Sequence, residues 1–135
     1  MTIVLIAIAL YLLAAVALVT GAMRGRHPPG HGWLLPALPA VALHAGYHVI
    51  AWRTAGGADL HFFSALSLVG LGMAALALLV GARGRMATLG VVVFPIAAAT
   101  LAGYAGYGHR PVEEMDIGVQ LHAWCALLAY ATLAV

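Results

Sequence analysis

The first apolar run constrains the fold of this chain more than any other feature. Residues Thr2–Ala22 contain no charged side chain and no proline. As a helix rising about 1.5 Å per residue, this run would be about 30 Å long, the thickness of the hydrocarbon core of a bilayer. No Lys or Arg precedes it and no small-residue cleavage site stands out, so we interpret it as a retained span and not a signal peptide.

Three further runs have a similar length and composition: Trp33–Trp52, Phe62–Val80 and Ala87–Tyr107. Hydrophobic residues make up 64% of the chain and charged residues only 7%. A soluble domain carries about 25% charged residues, so this chain cannot cover a surface that faces water. The four runs therefore predict an integral membrane protein that contacts the lipid bilayer along four complete spans.

A fifth run, Leu121–Val135, falls short of a crossing, because about 15 residues of helix extend only about 22 Å. We expect it to begin a fifth helix of a longer membrane protein, since carbonyls that end inside lipid are costly. The predicted fold class is therefore all-α, a polytopic transmembrane helix bundle with four complete spans and a truncated fifth. Residues 1–135 would form a single transmembrane domain.

Several single residues within the runs carry weaker predictions. Pro95 is expected to kink the fourth span. Cys125 is expected to be a small buried hydrophobic residue. The tryptophans are expected to anchor helix ends at the membrane interface, and small residues of the fourth span to permit close helix packing. These residues are Trp33, Trp52 and Trp124 for the anchors, and Ala99, Gly103 and Gly106 for the packing.

The arginines between the runs predict the orientation. The first and third breaks together hold four arginines, Arg24, Arg26, Arg83 and Arg85. The second and fourth breaks together hold two, Arg53 and Arg110. The positive-inside rule then places the N-terminus outside the cell. So few basic residues, with no lysine among them, exclude nucleic acid as a partner.

Three of the seven histidines lie within or at the start of a span. His44 and His48 are four residues apart and share one face of the second helix, while His122 lies in the first turn of the fifth run. Ionisable groups inside a membrane are functional hypotheses by default. The alternative is that each neutral imidazole bonds only to a neighbouring helix. His61 immediately precedes the third span, and the loop histidines His27, His31 and His109 are assigned no function.

The residues around these histidines favour haem over zinc. A zinc site needs further Cys, Asp or Glu ligands, and no carboxylate lies inside a span. Haem iron takes axial histidines between hydrophobic walls. Two histidines on one helix face cannot reach iron from opposite sides, so bis-histidine ligation needs another helix, for example through His122. Ser64 and Ser67 have no nearby acid, so no catalytic triad is expected and the chain is not expected to be a conventional enzyme.

Four stretches together resemble a known family: LHAGYHV, LHFFSALSLVGLGMAALALLVGARGR, the proline of VVVFPIAAATLA, and QLHAWCALLAYATLAV. In this order they resemble the cytochrome c assembly protein family (CcsA-like), most closely its YpjD-like branch of bacterial inner-membrane proteins. The last stretch is similar to the family's histidine helix, in which a histidine begins the span and a tyrosine follows eight positions later. Here these residues are His122 and Tyr130.

The resemblance implies a role in haem handling for cytochrome c maturation, together with other cytochrome c assembly proteins. It implies that His122 matches a haem-binding histidine near the outer membrane face. It also implies that His44 matches a histidine of the second helix in the YpjD-like branch. His48 shares the face of His44 and is a candidate on that ground. The tryptophan-rich WWD segment of the fuller members does not occur in these 135 residues. Two alternatives remain open: a non-catalytic accessory or regulatory protein similar to the HemX-like relatives, whose histidines are structural, and half of a small-solute transporter.

Overall fold

A computed structural model describes residues 1–25, 30–83, 86–108 and 116–134 of the protein. These residues form five α-helices and no strand. The helices are α1 (Thr2–Met23), α2 (Leu34–Ala55), α3 (Phe62–Ala82), α4 (Gly90–Tyr107) and α5 (Ile117–Leu133). Short 3₁₀ turns at His31–Trp33 and Ala87–Leu89 lead into α2 and α4.

Helix boundaries follow local chemistry. Gly56 ends α2 because it adopts the left-handed conformation (φ +80°), which lets the Gly57 N–H donate to the Trp52 carbonyl at 3.0 Å. The last helix begins at Ile117, four residues before the predicted run, because the Asp116 carboxylate caps it by accepting from the Gly118 N–H at 2.9 Å. Helix α4 continues through Pro95.

Four antiparallel helices form the bundle. Helix α1 packs against α2 and α4, and α3 packs against α4 and α2, so that consecutive helices are neighbours in a ring; α5 lies outside the ring against α3. Helices α1 to α4, with the turns that precede α2 and α4, are long and apolar enough to cross a membrane, whereas α5 is a shorter apolar helix. The structure thus confirms the all-α, four-span fold class of a multi-pass membrane protein.

The bundle has two ends, which we name by their connections. The α2–α3 end carries the start of α1, the α2–α3 loop, the end of α4 and the start of α5. The opposite end carries Arg24 and Arg83, which cap α1 and α3, whereas Arg53 lies in the last turn of α2 at the α2–α3 end. Arg26, Arg85 and Arg110 lie outside the described residues, and the outward N-terminus stays a prediction.

Aromatic packing closes the opposite end of the bundle. Trp33 is only 2% exposed, and its ring lies 6.0 Å from that of Phe94, which in turn stacks on Tyr11 at 5.9 Å. A side chain added at Gly81 would meet the Trp33 ring at 2.9 Å. The prediction that Trp33 is an interface anchor is therefore wrong, because the indole fills the space between helices and does not face the lipid headgroups.

A tight contact between α3 and α4 depends on Gly70. A Cβ atom at this position would contact Thr100 Oγ1 and would lie 3.3 Å from Ala97 Cα. Close packing was predicted instead at three small residues of the fourth span. Of these, Ala99 is exposed, Gly106 has open space beside it, and Gly103 makes only an ordinary contact with Phe63. The prediction therefore names the wrong residues, because the glycine that permits the tight contact is Gly70, on the facing helix α3.

Gly70→Ala is expected to lower the free energy of unfolding by about 1–3 kcal/mol, because the added methyl group overpacks the α3–α4 contact. Thermal unfolding in detergent, followed by circular dichroism, measures the effect. Gly46→Ala is the matched control in α2, since nothing lies within 4 Å of a Cβ there. The control should melt at or slightly above the wild-type temperature, and equal melting of the two variants would contradict the packing account.

Candidate functional site

Two of the predicted histidines lie in the interior of the bundle. His44 and His48 are 0% and 1% exposed, on the face of α2 that points into the bundle. Their rings stack with centroids 5.5 Å apart and planes 21° from parallel, as side chains one helical turn apart can do. No water reaches a bilayer interior, so polar atoms buried there need partners from the protein.

Ser67 of α3 supplies the partner that both imidazoles share. Its Oγ lies 2.9 Å from His44 Nε2 and 3.0 Å from His48 Nε2. A hydroxyl carries one proton, so it donates to one imidazole and accepts an N–H from the other. Ser67, which is itself fully buried, therefore ties α3 to two successive turns of α2.

Tyr11 of α1 completes the cluster. Its hydroxyl oxygen lies 3.2 Å from His44 Nδ1, and this is its one hydrogen bond to the described part of the chain. The directions of these bonds follow the tautomer of His44: with its proton on Nε2, His44 accepts from Tyr11 and donates to Ser67, which donates to His48 Nε2; with its proton on Nδ1, each of these directions is reversed. We call Tyr11, His44, Ser67 and His48 the polar cluster; it joins α1, α2 and α3.

Aromatic rings surround the polar cluster toward the α2–α3 end. Tyr104 of α4 stacks on His48 with centroids 4.7 Å apart, and Trp52 packs against the same imidazole at 5.7 Å. Trp52 also meets Trp124 of α5 edge-on at 5.4 Å. These contacts hold the rings in place and connect α5 to the end of α2.

A second polar group lies in the loop before α3. The His61 ring N–H donates to the Asp59 carboxylate at 2.6 Å, the His61 backbone N–H donates to the same oxygen at 3.1 Å, and Ser64 donates to the Asp59 carbonyl. Asp59 is 4% exposed. These bonds order the loop and the start of α3, and the His61 ring lies 5.8 Å from that of Tyr104.

His122 has a different environment from the buried pair. Its side chain is exposed on α5, and it makes no hydrogen bond or ring contact with the described residues. The neighbouring face of α5 is apolar, with Leu121 and Leu128 also exposed. The structure therefore brings His44 and His48 together and leaves His122 apart from both. The described residues contain no group of three metal-ligating side chains.

Haem fits these positions unequally. Both ring nitrogens of His44 are occupied by hydrogen bonds and the side chain has no exposed surface, so iron could reach it only by breaking the polar cluster. His48 likewise has its Nε2 engaged by Ser67. His122 presents an imidazole beside apolar side chains at the surface of the bundle, which suits one axial ligand of a hydrophobic porphyrin.

Sequence reasoning missed two members of the cluster, Ser67 and Tyr11. It treated Ser67 only as a possible nucleophile, although a serine inside an apolar span is itself a sign of an interhelical hydrogen bond. It also expected Cys125 to be buried, which is wrong, because this residue is exposed on α5. His31 is exposed, and His27 and His109 lie outside the described residues.

The fold and the polar cluster together define a multi-pass α-helical membrane protein with a polar group inside its bundle. No protein-family model matches the chain, and no curated protein or solved structure is significantly similar to it.

Ser67→Ala is expected to destabilise the bundle by about 1–3 kcal/mol, because it removes the shared partner of two buried imidazoles. Thermal unfolding in detergent measures this loss. Thr20→Ala also removes one hydroxyl, but this hydroxyl bonds only to carbonyls of its own helix on an exposed face. The control should change stability by less than about 0.5 kcal/mol; equal effects in the two variants would show that Ser67 is not a structural bridge.

Proposed function

We propose that the protein is a haem-handling factor of the bacterial inner membrane that acts in cytochrome c assembly. The observation that carries the proposal is the position of His122, an exposed imidazole with no partner in the described ranges, on an apolar helix surface. An ionisable side chain there is costly unless a ligand or a further protein surface covers it. The resemblance of the four sequence stretches to CcsA-like proteins supplies the ligand and the pathway.

In this proposal His122 would hold haem through a nitrogen of its imidazole. Haem supplies the chemistry, since its vinyl groups are what react with cysteine thiols when a c-type cytochrome is made. The chain binds and orients the porphyrin against the apolar side of α5, next to Leu121 and Leu128. Its partners are the lipid bilayer, haem and other cytochrome c assembly proteins, and it performs no nucleophilic catalysis of its own.

The buried histidines have a supporting role in the same proposal. The polar cluster fixes α1, α2 and α3 relative to one another. The contact between Trp52 and Trp124 then holds the start of α5 against the end of α2. His44 and His48 thus orient the helix that carries His122 without touching iron. Their predicted function as haem ligands is left to the test below.

A second function is favoured by the same cluster. Because hydrogen bonds within the bundle already engage His44 and His48, the histidines could be structural throughout, as in a HemX-like accessory protein. Such a protein would act by binding a membrane partner, with Arg24 and Arg83 at the opposite end as docking residues. It would need no haem.

His122→Ala is expected to weaken haem binding by at least about tenfold, because the loss of an axial ligand removes a coordinate bond and its hydrophobic surroundings cannot replace it. The measurement is a haem titration of the purified full chain in nanodiscs, followed by the Soret band. Wild-type protein should show a band typical of histidine-ligated haem, and the variant should lose or shift it.

His31→Ala is the matched control, since His31 is also exposed but lies at the opposite end of the bundle. It should bind haem as the wild type does. Wild-type protein that binds no added haem would overturn the haem proposal and favour the accessory protein. A Soret band that is lost in His44→Ala but kept in His122→Ala would move the ligand from α5 to the bundle interior.

A further inference from the structure

A depression at the opposite end of the bundle lies between the end of α1 and the start of α2. It has a volume of about 260 Å³ and is lined by one face of α1 together with Gly30, Gly32 and Trp33. His122, on α5, is at the other end of the bundle. A ligand of this depression is therefore independent of the haem proposal and does not rest on it.

The face of α1 that lines the depression changes from apolar to cationic. Its residues follow the i, i+3, i+4, i+7 spacing of one helix face, in the order Ala17, Thr20, Gly21 and Arg24. At 1.5 Å per residue this face is about 10 Å long. The Thr20 hydroxyl donates to carbonyls of its own helix, so the part within α1 offers no free donor. Arg24 comes directly after α1, so the charge begins where the span ends.

Three glycines keep the rest of the depression open. A Cβ atom added at Gly21, Gly30 or Gly32 would have no heavy atom within 4 Å. At about 30 Å³ for each molecule of liquid water, the volume of 260 Å³ corresponds to about nine water molecules. There is room for a phosphate and the glycerol attached to it, whereas the rest of a lipid would remain in the bilayer.

The charge at this end of the bundle selects an anion. Arg24 is exposed, and the sequence places no acidic residue in the α1–α2 or α3–α4 connection. All four acids of the chain occur in the α2–α3 and α4–α5 connections, which belong to the other end. A guanidinium group binds a phosphate through two parallel N–H bonds. The acceptor that fits Arg24 is therefore a phosphate supplied from outside the chain.

The depth of the depression favours a lipid over a soluble phosphate ester. Helix α1 is long and apolar enough to cross a membrane, so the residue that follows it lies at the level of the headgroups. Basic pockets between spanning helices bind anionic headgroups. The apolar stretch from Ala17 to Gly21 lies deeper, where the first carbons of the acyl chains begin. A phospholipid supplies both parts in one molecule.

We propose that the depression between α1 and α2 binds an anionic phospholipid, whose phosphate is held by Arg24 and whose first acyl carbons lie along Ala17 and Gly21. The site gives the protein a preference for anionic over zwitterionic lipid. The bound lipid also links the end of α1 to the start of α2.

The test measures how dioleoyl phosphatidylglycerol and dioleoyl phosphatidylcholine bind to the full chain purified in detergent, by native mass spectrometry. Wild type should bind the anionic lipid more tightly. Arg24→Ala should weaken its binding about tenfold, as expected for the loss of a hydrogen bond between charged groups, and should remove the preference over phosphatidylcholine.

Arg83→Ala is the matched control for charge. Arg83 is also exposed and follows α3 at the same end of the bundle, but it does not line the depression. This variant should keep the wild-type affinity. Equal weakening in the two arginine variants would overturn the assignment, because the lipid would then respond to the charge of the whole end and not to one site.

Gly21→Leu tests the apolar part while Arg24 is retained. The added side chain enters the open space beside Gly21 and occupies the depression, so phosphatidylglycerol should again bind about tenfold more weakly. Gly106→Leu is the control, since Gly106 is exposed with open space beside it at the other end of the bundle. Circular dichroism checks that both variants fold. If Gly21→Leu does not, the comparison of the two arginine variants decides alone.

Two further results would contradict the proposal. Unchanged binding in a folded Gly21→Leu variant would place the lipid elsewhere on the surface. Glycerophosphoglycerol, the headgroup without acyl chains, should not displace phosphatidylglycerol; displacement at equal concentration would make the ligand a soluble phosphate ester. Neither result changes the expectation for haem and His122, which lies at the other end.

Discussion

The hydroxyl of Ser67 is the interaction on which the structure depends, because it solves a problem that the bilayer imposes. Two imidazoles on one face of α2 are buried where no water can bond to them. One serine on the facing helix satisfies a nitrogen of each, at 2.9 and 3.0 Å, and Tyr11 satisfies the remaining nitrogen of His44. Packing alone would tolerate small shifts between apolar helices, whereas hydrogen bonds of this length tolerate few. The cluster therefore sets the register of α1, α2 and α3.

This arrangement divides the histidines into two kinds. Those inside the bundle share a hydrogen-bond partner in Ser67 and hold helices together, while His122 on α5 is exposed and bonds to nothing in the described ranges. The aromatic contacts of Trp52 connect the two kinds, since this indole touches both His48 and Trp124. Helix α5 itself packs along α3, and this indole contact adds a link between its start and the end of α2. The proposed function places iron at the exposed imidazole.

Much of the fold could be predicted because hydrophobicity acts locally along the chain. Each uncharged run became a helix, and the two histidines four residues apart do share a face. The errors arose where the answer depends on a facing helix. Trp33 was expected at the interface, but Gly81 and Phe94 make room for it inside. Gly70 was not singled out, since only the approach of Ala97 shows why it must be glycine.

The site divides in the same way. The histidines were recognised because polar residues in an apolar run stand out, but nothing in the spacing of Ser67 or Tyr11 shows that they meet His44. Their residue types are compatible with many interhelical pairings, and only the ring of four antiparallel helices selects this one. The start of α5 was missed because its first turn, up to Gln120, is not wholly apolar. Asp116 caps this turn, and its carbonyl accepts from the Gln120 N–H.

The central claim is that the exposed imidazole meets the metal while the buried pair does not. Cobalt(III) protoporphyrin is diamagnetic and binds imidazole axially, so ¹⁵N spectra of histidine-labelled protein can follow each ring nitrogen as the porphyrin is added. Single-histidine variants assign the signals of the seven histidines. The account predicts that the ring nitrogens of His122 shift on coordination and those of His44 and His48 stay where they are. A shift of the His44 or His48 nitrogens with His122 unmoved would contradict it.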